Sequence, residues 1–108
     1  MENCIFCKIV AGELPSTKVY EDGAVLAFLN ISPKGPQHTL VIPKAHYRWF
    51  YDMPDELLSR VMIAAKKIAA DLKEKTGSDF VQLSIVGKDV PHVHVHLVPR
   101  MLANAPEL

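Results

Sequence analysis

The run His92-Val93-His94-Val95-His96-Leu97 decides how the rest of the chain is interpreted. Its alternation of polar and apolar residues predicts a strand from His92 to Pro99 whose side chains point to opposite faces in turn. The three imidazoles would then share one face, while the apolar residues enter the core. Because the chain holds only five histidines in 108 residues, three at alternate positions are improbable by chance and indicate chemistry.

Three chemical interpretations of this run remain open from the residues alone. A His-x-His pair on a strand can hold zinc, and a positioned imidazole can act as a general acid or base. The third interpretation is nucleophilic catalysis, in which one imidazole attacks phosphorus and splits one difficult displacement into two easier ones. Neighbouring imidazoles repel each other when all are protonated, so a cluster favours the neutral form that an attacking imidazole requires.

Composition excludes several classes of protein. Twelve basic and twelve acidic residues give zero formal charge, so we expect no nucleic-acid partner bound by bulk electrostatics. The sequence contains no apolar run of membrane-spanning length and no signal peptide, so we expect a cytoplasmic protein with no membrane partner. Two cysteines are too few for a disulfide framework. The length suits one domain, residues 1–108.

Working outward from the histidines, the remaining chain predicts an α+β fold. It would have an antiparallel sheet of about five strands, one long helix and a short N-terminal helix. Asp22-Gly23 is a hairpin turn signal, and Gly77 ends the long helix. The other predicted strands are Lys18–Tyr20, Ala24–Leu29, His38–Pro43 and Asp79–Val86. The predicted helices are Cys4–Val10 and a segment that begins at Asp52 or Met53, with Pro54 in its first turn.

Cys4 and Cys7 form a Cys-x-x-Cys motif that admits three interpretations. A redox dithiol would require a helix N-terminus in a βαβ setting, which this sequence does not predict. Zinc would require two further ligands, and His46 and His92 are available. The third interpretation is a pair of buried free thiols.

At the histidine run the chain resembles the histidine triad (HIT) family, and in particular its branch of small nucleoside phosphoramidate hydrolases. The resemblance covers nearly the whole chain. It is carried by the segments Cys4–Ile9, Phe28–Pro33, His38–His46, the run His92–Val98 and the dipeptide Pro99-Arg100.

The resemblance implies hydrolysis of a purine nucleoside phosphoramidate through a nucleotidyl-histidine intermediate. In that family His94 corresponds to the nucleophile, His96 contacts phosphate or the nucleophile, and His38 is a fourth catalytic histidine. The family's ribose-binding acid corresponds to Asn30, and the positions that enclose the purine are Phe6, Ile9, Phe28 and Ile31. Dinucleoside polyphosphate hydrolysis, or nucleotide binding without catalysis, remain as alternatives.

The resemblance also implies a structural zinc ion held by Cys4, Cys7, His46 and His92, as in some members of the family. It further implies a homodimer, which a small sheet with an exposed edge would favour.

The sequence departs from the family pattern before the triad, where the link Gly87–Pro91 is short. Asp89 stands where the family often has a hydroxyl that touches phosphate. Its carboxylate would repel a phosphate, so we expect it to face away or to act on a histidine. Lys88 would supply a positively charged contact to the phosphate in place of the contact that the hydroxyl makes.

Overall fold

The computed structural model describes residues 4–105, which form one five-stranded antiparallel sheet with helices on both faces. The strands are β1 (Lys18–Glu21), β2 (Val25–Leu29), β3 (Thr39–Pro43), β4 (Phe80–Ile85) and β5 (Val95–Arg100). They lie in the order β1-β2-β3-β5-β4. The helices are α1 (Ile5–Val10) and α2 (Asp55–Thr76), with short 3-10 turns at Phe50–Asp52 and Leu102–Asn104. The predicted α+β class is therefore confirmed.

Helix α2 begins later than the sequence predicts. Pro54 is its N-cap and has extended backbone angles, while Phe50–Asp52 forms a separate 3-10 turn. Asp55 then places a carboxylate in the first turn, where the helix dipole favours negative charge. The helix ends at Gly77, whose φ of 68° is one that glycine adopts without strain. Neither described helix is long and apolar enough to cross a membrane.

The two faces of the sheet carry separate apolar clusters. Helix α2 covers one face, and its contacts there include the fully buried Val41, Val95 and Leu97. Helix α1 covers part of the opposite face, where Phe6 packs with Phe28 and with other residues of β2 and β3. The remainder of that second face stays open, and the histidine run reaches it.

The prediction of a strand beginning at His92 is wrong, because β5 begins only at Val95. The pairing of β3 with β5 ends at Val41 opposite Val95. Two residues further along β3 is Pro43, which has no N–H to donate and whose carbonyl accepts a hydrogen bond from the His92 ring at 2.8 Å. The backbone N–H of Val93 instead donates to the Tyr47 carbonyl at 2.6 Å.

Candidate functional site

A row of side chains on the open face changes from apolar to polar across the sheet. In the strand register, Phe28 on β2 lies opposite Leu40 on β3, which lies opposite His96 on β5. His96 in turn lies opposite Ser84 on β4. Directly paired residues of antiparallel strands share one face. His96 therefore marks the boundary between an apolar half of this face and a polar half.

Two cavities meet at this boundary, and both are lined by His94 and His96. The first, which we call the apolar cavity, has a volume of about 660 Å³. Residues lining it include Ile5, Phe6, Ile9, Pro15, Ser16, Thr17, Phe28, Leu29, Asn30, Ile31, Leu40 and Val90. The second, which we call the cationic cavity, has a volume of about 300 Å³. Residues lining it include Lys34, His38, Gln82, Ser84, Val86, Lys88, Val98 and Arg100. Asp89 lines both cavities.

Among residues 4–105, the hydrogen bonding of His94 leaves one ring nitrogen free to attack. Its Nδ1 lies 2.7 Å from the backbone carbonyl of His92, which can only accept, so Nδ1 carries the proton. In the neutral ring, Nε2 then keeps its lone pair. The ring is 5% exposed and packs edge-on against Phe6 at a centroid distance of 5.0 Å. Packing and a backbone carbonyl thus fix both the position and the tautomer of this imidazole.

His38 fixes the tautomer of His96 in the same way. The backbone N–H of Lys34 donates to His38 Nδ1 at 3.1 Å, so the neutral His38 ring carries its proton on Nε2. That Nε2 lies 3.1 Å from His96 Nδ1 and donates to it. The neutral His96 is left with an N–H on Nε2. Its ring centroid is 4.7 Å from that of His94, so it can present this donor beside the attacking ring.

The environment keeps both supporting histidines neutral. Burial is the main reason why the pKa of His96 is lowered to about 4, and the neighbouring His94, His38 and Lys34 lower it further. Asp89 opposes these effects weakly and raises the pKa of His96. Burial also lowers the pKa of His38, with smaller contributions from Lys34 and Arg100.

These shifts predict that the folded protein loses stability as the pH falls from about 6.5 to about 4. In this range His96 is protonated in the unfolded chain but remains neutral in the folded chain, so protonation favours unfolding. We expect His96→Asn, which cannot be protonated, to show a shallower loss of melting temperature over this range in nucleotide-free protein. If the melting temperatures of the two proteins fell in parallel below pH 6.5, the lowered pKa of His96 would be contradicted.

The apolar cavity contains the residues that the sequence predicted to enclose a purine. Phe6 and Phe28 pack edge-on at a centroid distance of 5.6 Å, and Ile9 is buried beside them. Ile31 also lines the cavity, but it is 97% exposed and therefore lies at the rim. Asn30 accepts a hydrogen bond from the Ser32 N–H at 3.0 Å through Oδ1, and its Nδ2 donor lies 3.5 Å from both ring nitrogens of His38.

The cationic cavity contains both predicted and unpredicted site residues. The predicted Lys88 and Asp89 both line it, and the charge of Asp89 raises the pKa of His96. Lys34 and Arg100 were missed because they lie 66 positions apart and meet only through the fold, where the Arg100 guanidinium donates to the Lys34 carbonyl at 3.4 Å. Ser84 could have been found, because in β4 the polar Gln82 and Ser84 alternate with apolar residues and therefore share one face of the sheet.

A second cluster brings together Cys4, Cys7, His46 and His92, whose ligand atoms lie within 4.8 Å of one another. Cys4 Sγ is 3.3 Å from His92 Nδ1, and Cys7 Sγ is 3.2 Å from His46 Nδ1. His92 points Nδ1 into the cluster because its Nε2–H donates to the Pro43 carbonyl. Cys4 also caps α1, since its sulfur accepts a hydrogen bond from the Cys7 N–H at 3.3 Å.

The donor set and its spacing suit a tetrahedral metal ion. Zinc bonds of roughly 2.3 Å to sulfur and 2.0–2.1 Å to nitrogen place ligand atoms about 3.5 Å apart, close to the sulfur–nitrogen separations seen here. Burial is the largest of the effects that raise the pKa of the Cys7 thiol to about 11. A bound cation would therefore have to displace the thiol proton, as metal sites with cysteine ligands do.

Comparison with known proteins shows which family and which relatives the chain is similar to. A family model described as the HIT domain matches residues 11–102. The uncharacterized HIT-like protein MJ0866 of Methanocaldococcus jannaschii is 47% identical over 102 residues, which cover 90% of this chain and 78% of that protein. Adenosine 5'-monophosphoramidase HNT1 of Saccharomyces cerevisiae is 42% identical over 98 residues, which cover 90% of this chain and 62% of that enzyme.

Solved structures agree with this placement. SMU.412c from Streptococcus mutans has a TM-score of 0.92 and 43% identity, and the match covers 100% of this chain and 72% of that one. A Zn-bound histidine triad family protein from Mycobacterium smegmatis has a TM-score of 0.90 and 33% identity, and the match covers 99% of this chain and 81% of that one.

The fold and site define a class of small α+β proteins in which a row of histidines lies between two cavities, on the face of the sheet opposite its long helix. The family model spans most of the chain, and the relatives agree with it along nearly the whole described length. The chain belongs to the HIT family.

Proposed function

We propose that this protein is a nucleotide hydrolase that cleaves purine nucleoside phosphoramidates, or related conjugates of a nucleoside monophosphate, through a nucleotidyl-histidine intermediate. The observation that carries the proposal is the free Nε2 of His94 at the meeting point of the two cavities. A conjugate whose nucleoside fills the apolar cavity would place its α-phosphate at His94 and its leaving group in the cationic cavity. The activity of the similar yeast phosphoramidase supports this substrate class.

In the first step, Nε2 of His94 attacks the α-phosphorus. The new phosphorus–nitrogen bond forms as the bond to the leaving amine breaks, and the amine keeps the electron pair and takes up a proton. The attacking ring becomes positively charged. Its Nδ1–H already donates to the His92 carbonyl at 2.7 Å, which stabilises that charge where it develops.

In the second step, water attacks the same phosphorus, the bond to His94 breaks, and the nucleoside monophosphate leaves. The water gives up one proton, which balances the proton taken up by the amine. His96 would hold a phosphate oxygen through its Nε2–H in both steps. His38 acts as a positioning residue, because it reaches His96 and sets that ring's tautomer.

The proposed nucleoside contacts follow from the lining of the apolar cavity. Phe6, Phe28 and Ile9 would enclose the purine, with Ile31 at the rim. Asn30 would donate its Nδ2–H to a ribose hydroxyl, without the charge assistance that a carboxylate acceptor gives. Lys88 would contact phosphate, and Asp89 would act on His96 rather than on the substrate.

We further propose that Cys4, Cys7, His46 and His92 hold a structural zinc ion. Four protein ligands close the coordination shell, so the ion would stabilise the fold and carry no open position for chemistry. It would join the start of α1 to the segment that leads into β5. The zinc-bound structural neighbour supports the choice of metal.

The decisive experiment compares two substrates, adenosine 5'-phosphoramidate and a diadenosine polyphosphate. We expect the phosphoramidate to be turned over with the higher kcat/KM. The short link from Gly87 to Pro91 motivates the second candidate function, dinucleoside polyphosphate hydrolysis, and a reversed preference would establish it. AMP binding without turnover of either compound would instead favour a non-catalytic, zinc-stabilised nucleotide-binding module.

We propose that the protein acts in the cytoplasm as a homodimer. Its two cysteines are not joined in a disulfide, which suits a reducing compartment. Strand β4 forms one edge of the sheet; Leu83 within it is 43% exposed, and Val86 directly after it is 58% exposed. Such an edge is suited to pairing with a second copy. Light scattering should give twice the chain mass, and Leu83→Lys should shift it toward the monomer, whereas a monomeric mass for the unaltered protein would contradict this.

A further inference from the structure

The cationic cavity carries a net positive charge that an uncharged leaving group would leave without a negatively charged partner. Its lining contains three cations, Lys34, Lys88 and Arg100, and one carboxylate, Asp89. Three positive charges less one negative charge give a formal charge of +2, and with Lys88 assigned to the α-phosphate, Lys34 and Arg100 remain for the leaving group. The chain as a whole has a formal charge of zero, so this positive charge is a local feature of the site.

Within residues 4–105, no ion pair with a carboxylate neutralises the cations of this cavity. The ion pairs within residues 4–105 join Lys18, Lys44 and Arg60 to carboxylates and include none of the cavity cations. These positive groups therefore remain available to an anionic ligand.

Arg100 is the one of the three whose charged group is hydrogen-bonded to other described residues. It is half-buried, and its Nε donates to Gln82 Oε1 at 3.0 Å while its NH1 faces the Lys34 carbonyl. A guanidinium held by neutral acceptors keeps its full charge and its remaining donors for a ligand. The field also reaches the histidines, because Lys34 and Arg100 add to the lowering of the pKa of His38.

We infer that the cationic cavity is a leaving-group subsite that selects conjugates whose leaving group carries a phosphate. The inference rests on the proposed function, since it places the leaving group on the far side of His94 from the nucleoside. Arg100 and Lys34 would form charge-assisted hydrogen bonds with the phosphate of the leaving group. The chemistry at the α-phosphorus is the same two-step transfer described above, and the second phosphate leaves intact on the departing amine.

A matched pair of substrates isolates this contact. The two compounds are the AMP phosphoramidate of ethanolamine and that of O-phosphoethanolamine, which share one phosphorus–nitrogen bond and differ only in the terminal phosphate. We expect kcat/KM to be about tenfold higher for the phosphorylated compound, the size of one or two charge-assisted contacts. Lys34→Gln and Arg100→Gln should each reduce this ratio, and Arg100→Lys should retain more of it than Arg100→Gln.

Arg60→Gln is the control, because it removes the same charge from α2 on the opposite face of the sheet. It should leave the ratio unchanged. Lys34 is exposed, so its substitution tests the subsite even if Arg100→Gln fails to fold. A ratio near one in the unaltered protein, or a ratio that Lys34→Gln and Arg100→Lys leave unchanged, would overturn the inference.

A binding measurement separates failure of the subsite from failure of the proposed function. In a His94→Asn background that blocks turnover, calorimetry should show that ADP binds more tightly than AMP, and Lys34→Gln should reduce the difference. If neither amidate is hydrolysed but this difference is found, the hydrolase proposal fails and the subsite stands. If the amidates are hydrolysed at equal rates and ADP binds no more tightly than AMP, the subsite is refuted and the hydrolase remains.

Discussion

Replacing His94 with alanine should reduce turnover of adenosine 5'-phosphoramidate by at least about a thousandfold, because no other group in the site can form the covalent intermediate. The ring is fixed by its Nδ1 hydrogen bond to the His92 carbonyl and by packing against Phe6. Neither water nor His96, whose Nδ1 is occupied by His38, offers an equivalent nucleophile at the same place.

Binding measurements separate this effect from simple loss of the site. His94→Ala should still bind AMP, since the apolar cavity is lined mainly by other residues. His94→Asn is the matched variant, because it retains a polar side chain of intermediate size and lacks the nucleophilic nitrogen. Substantial phosphoramidate turnover by either variant would contradict the mechanism, whatever the binding data show.

Loss of the proposed zinc ion should have the second large effect, on stability rather than on a single chemical step. We expect one zinc ion per chain in the purified protein and none in Cys7→Ser. Removing the ion should lower the melting temperature by more than about 10 °C, because the binding free energy of a structural zinc is folding free energy. Without it, the start of α1 and the segment before β5 lose their common anchor.

Two histidine substitutions provide the control for the metal site. His46→Asn removes a proposed ligand, and His38→Asn removes a histidine that lies outside the Cys/His cluster. Elemental analysis should find zinc in the second variant and little in the first. Equal zinc content in both, or a melting temperature of the unaltered protein that is insensitive to chelators, would contradict a structural zinc at this cluster.

Much of the fold could be predicted from local sequence patterns. The glycine that ends α2 and the Asp22-Gly23 turn each specify a local structure, and the predicted strands and helices together define the α+β class. The start of the strand that carries His96 could not be predicted. It depends on Pro43, a residue about fifty positions earlier, which ends the ladder where the alternation in sequence continues.

The site was predictable in its residue types and less so in its electrostatics. The motif and the family resemblance identified the five histidines and two cysteines that the fold brings into two adjacent clusters. They did not predict the tautomers, which are set by the backbone groups of His92 and Lys34. Nor did they identify Lys34 and Arg100 as neighbours, because that proximity exists only in the folded sheet.

The most direct test of the proposed nucleotidyl-histidine is mass spectrometry of the protein after rapid acid-free quenching during turnover of adenosine 5'-phosphoramidate. The proposed mechanism predicts an adenylyl group on the peptide that contains the histidine run, assigned by fragmentation to His94 and absent from His94→Asn. An adduct on His96 or His38 instead, or efficient turnover with no covalent adduct at any histidine, would contradict it.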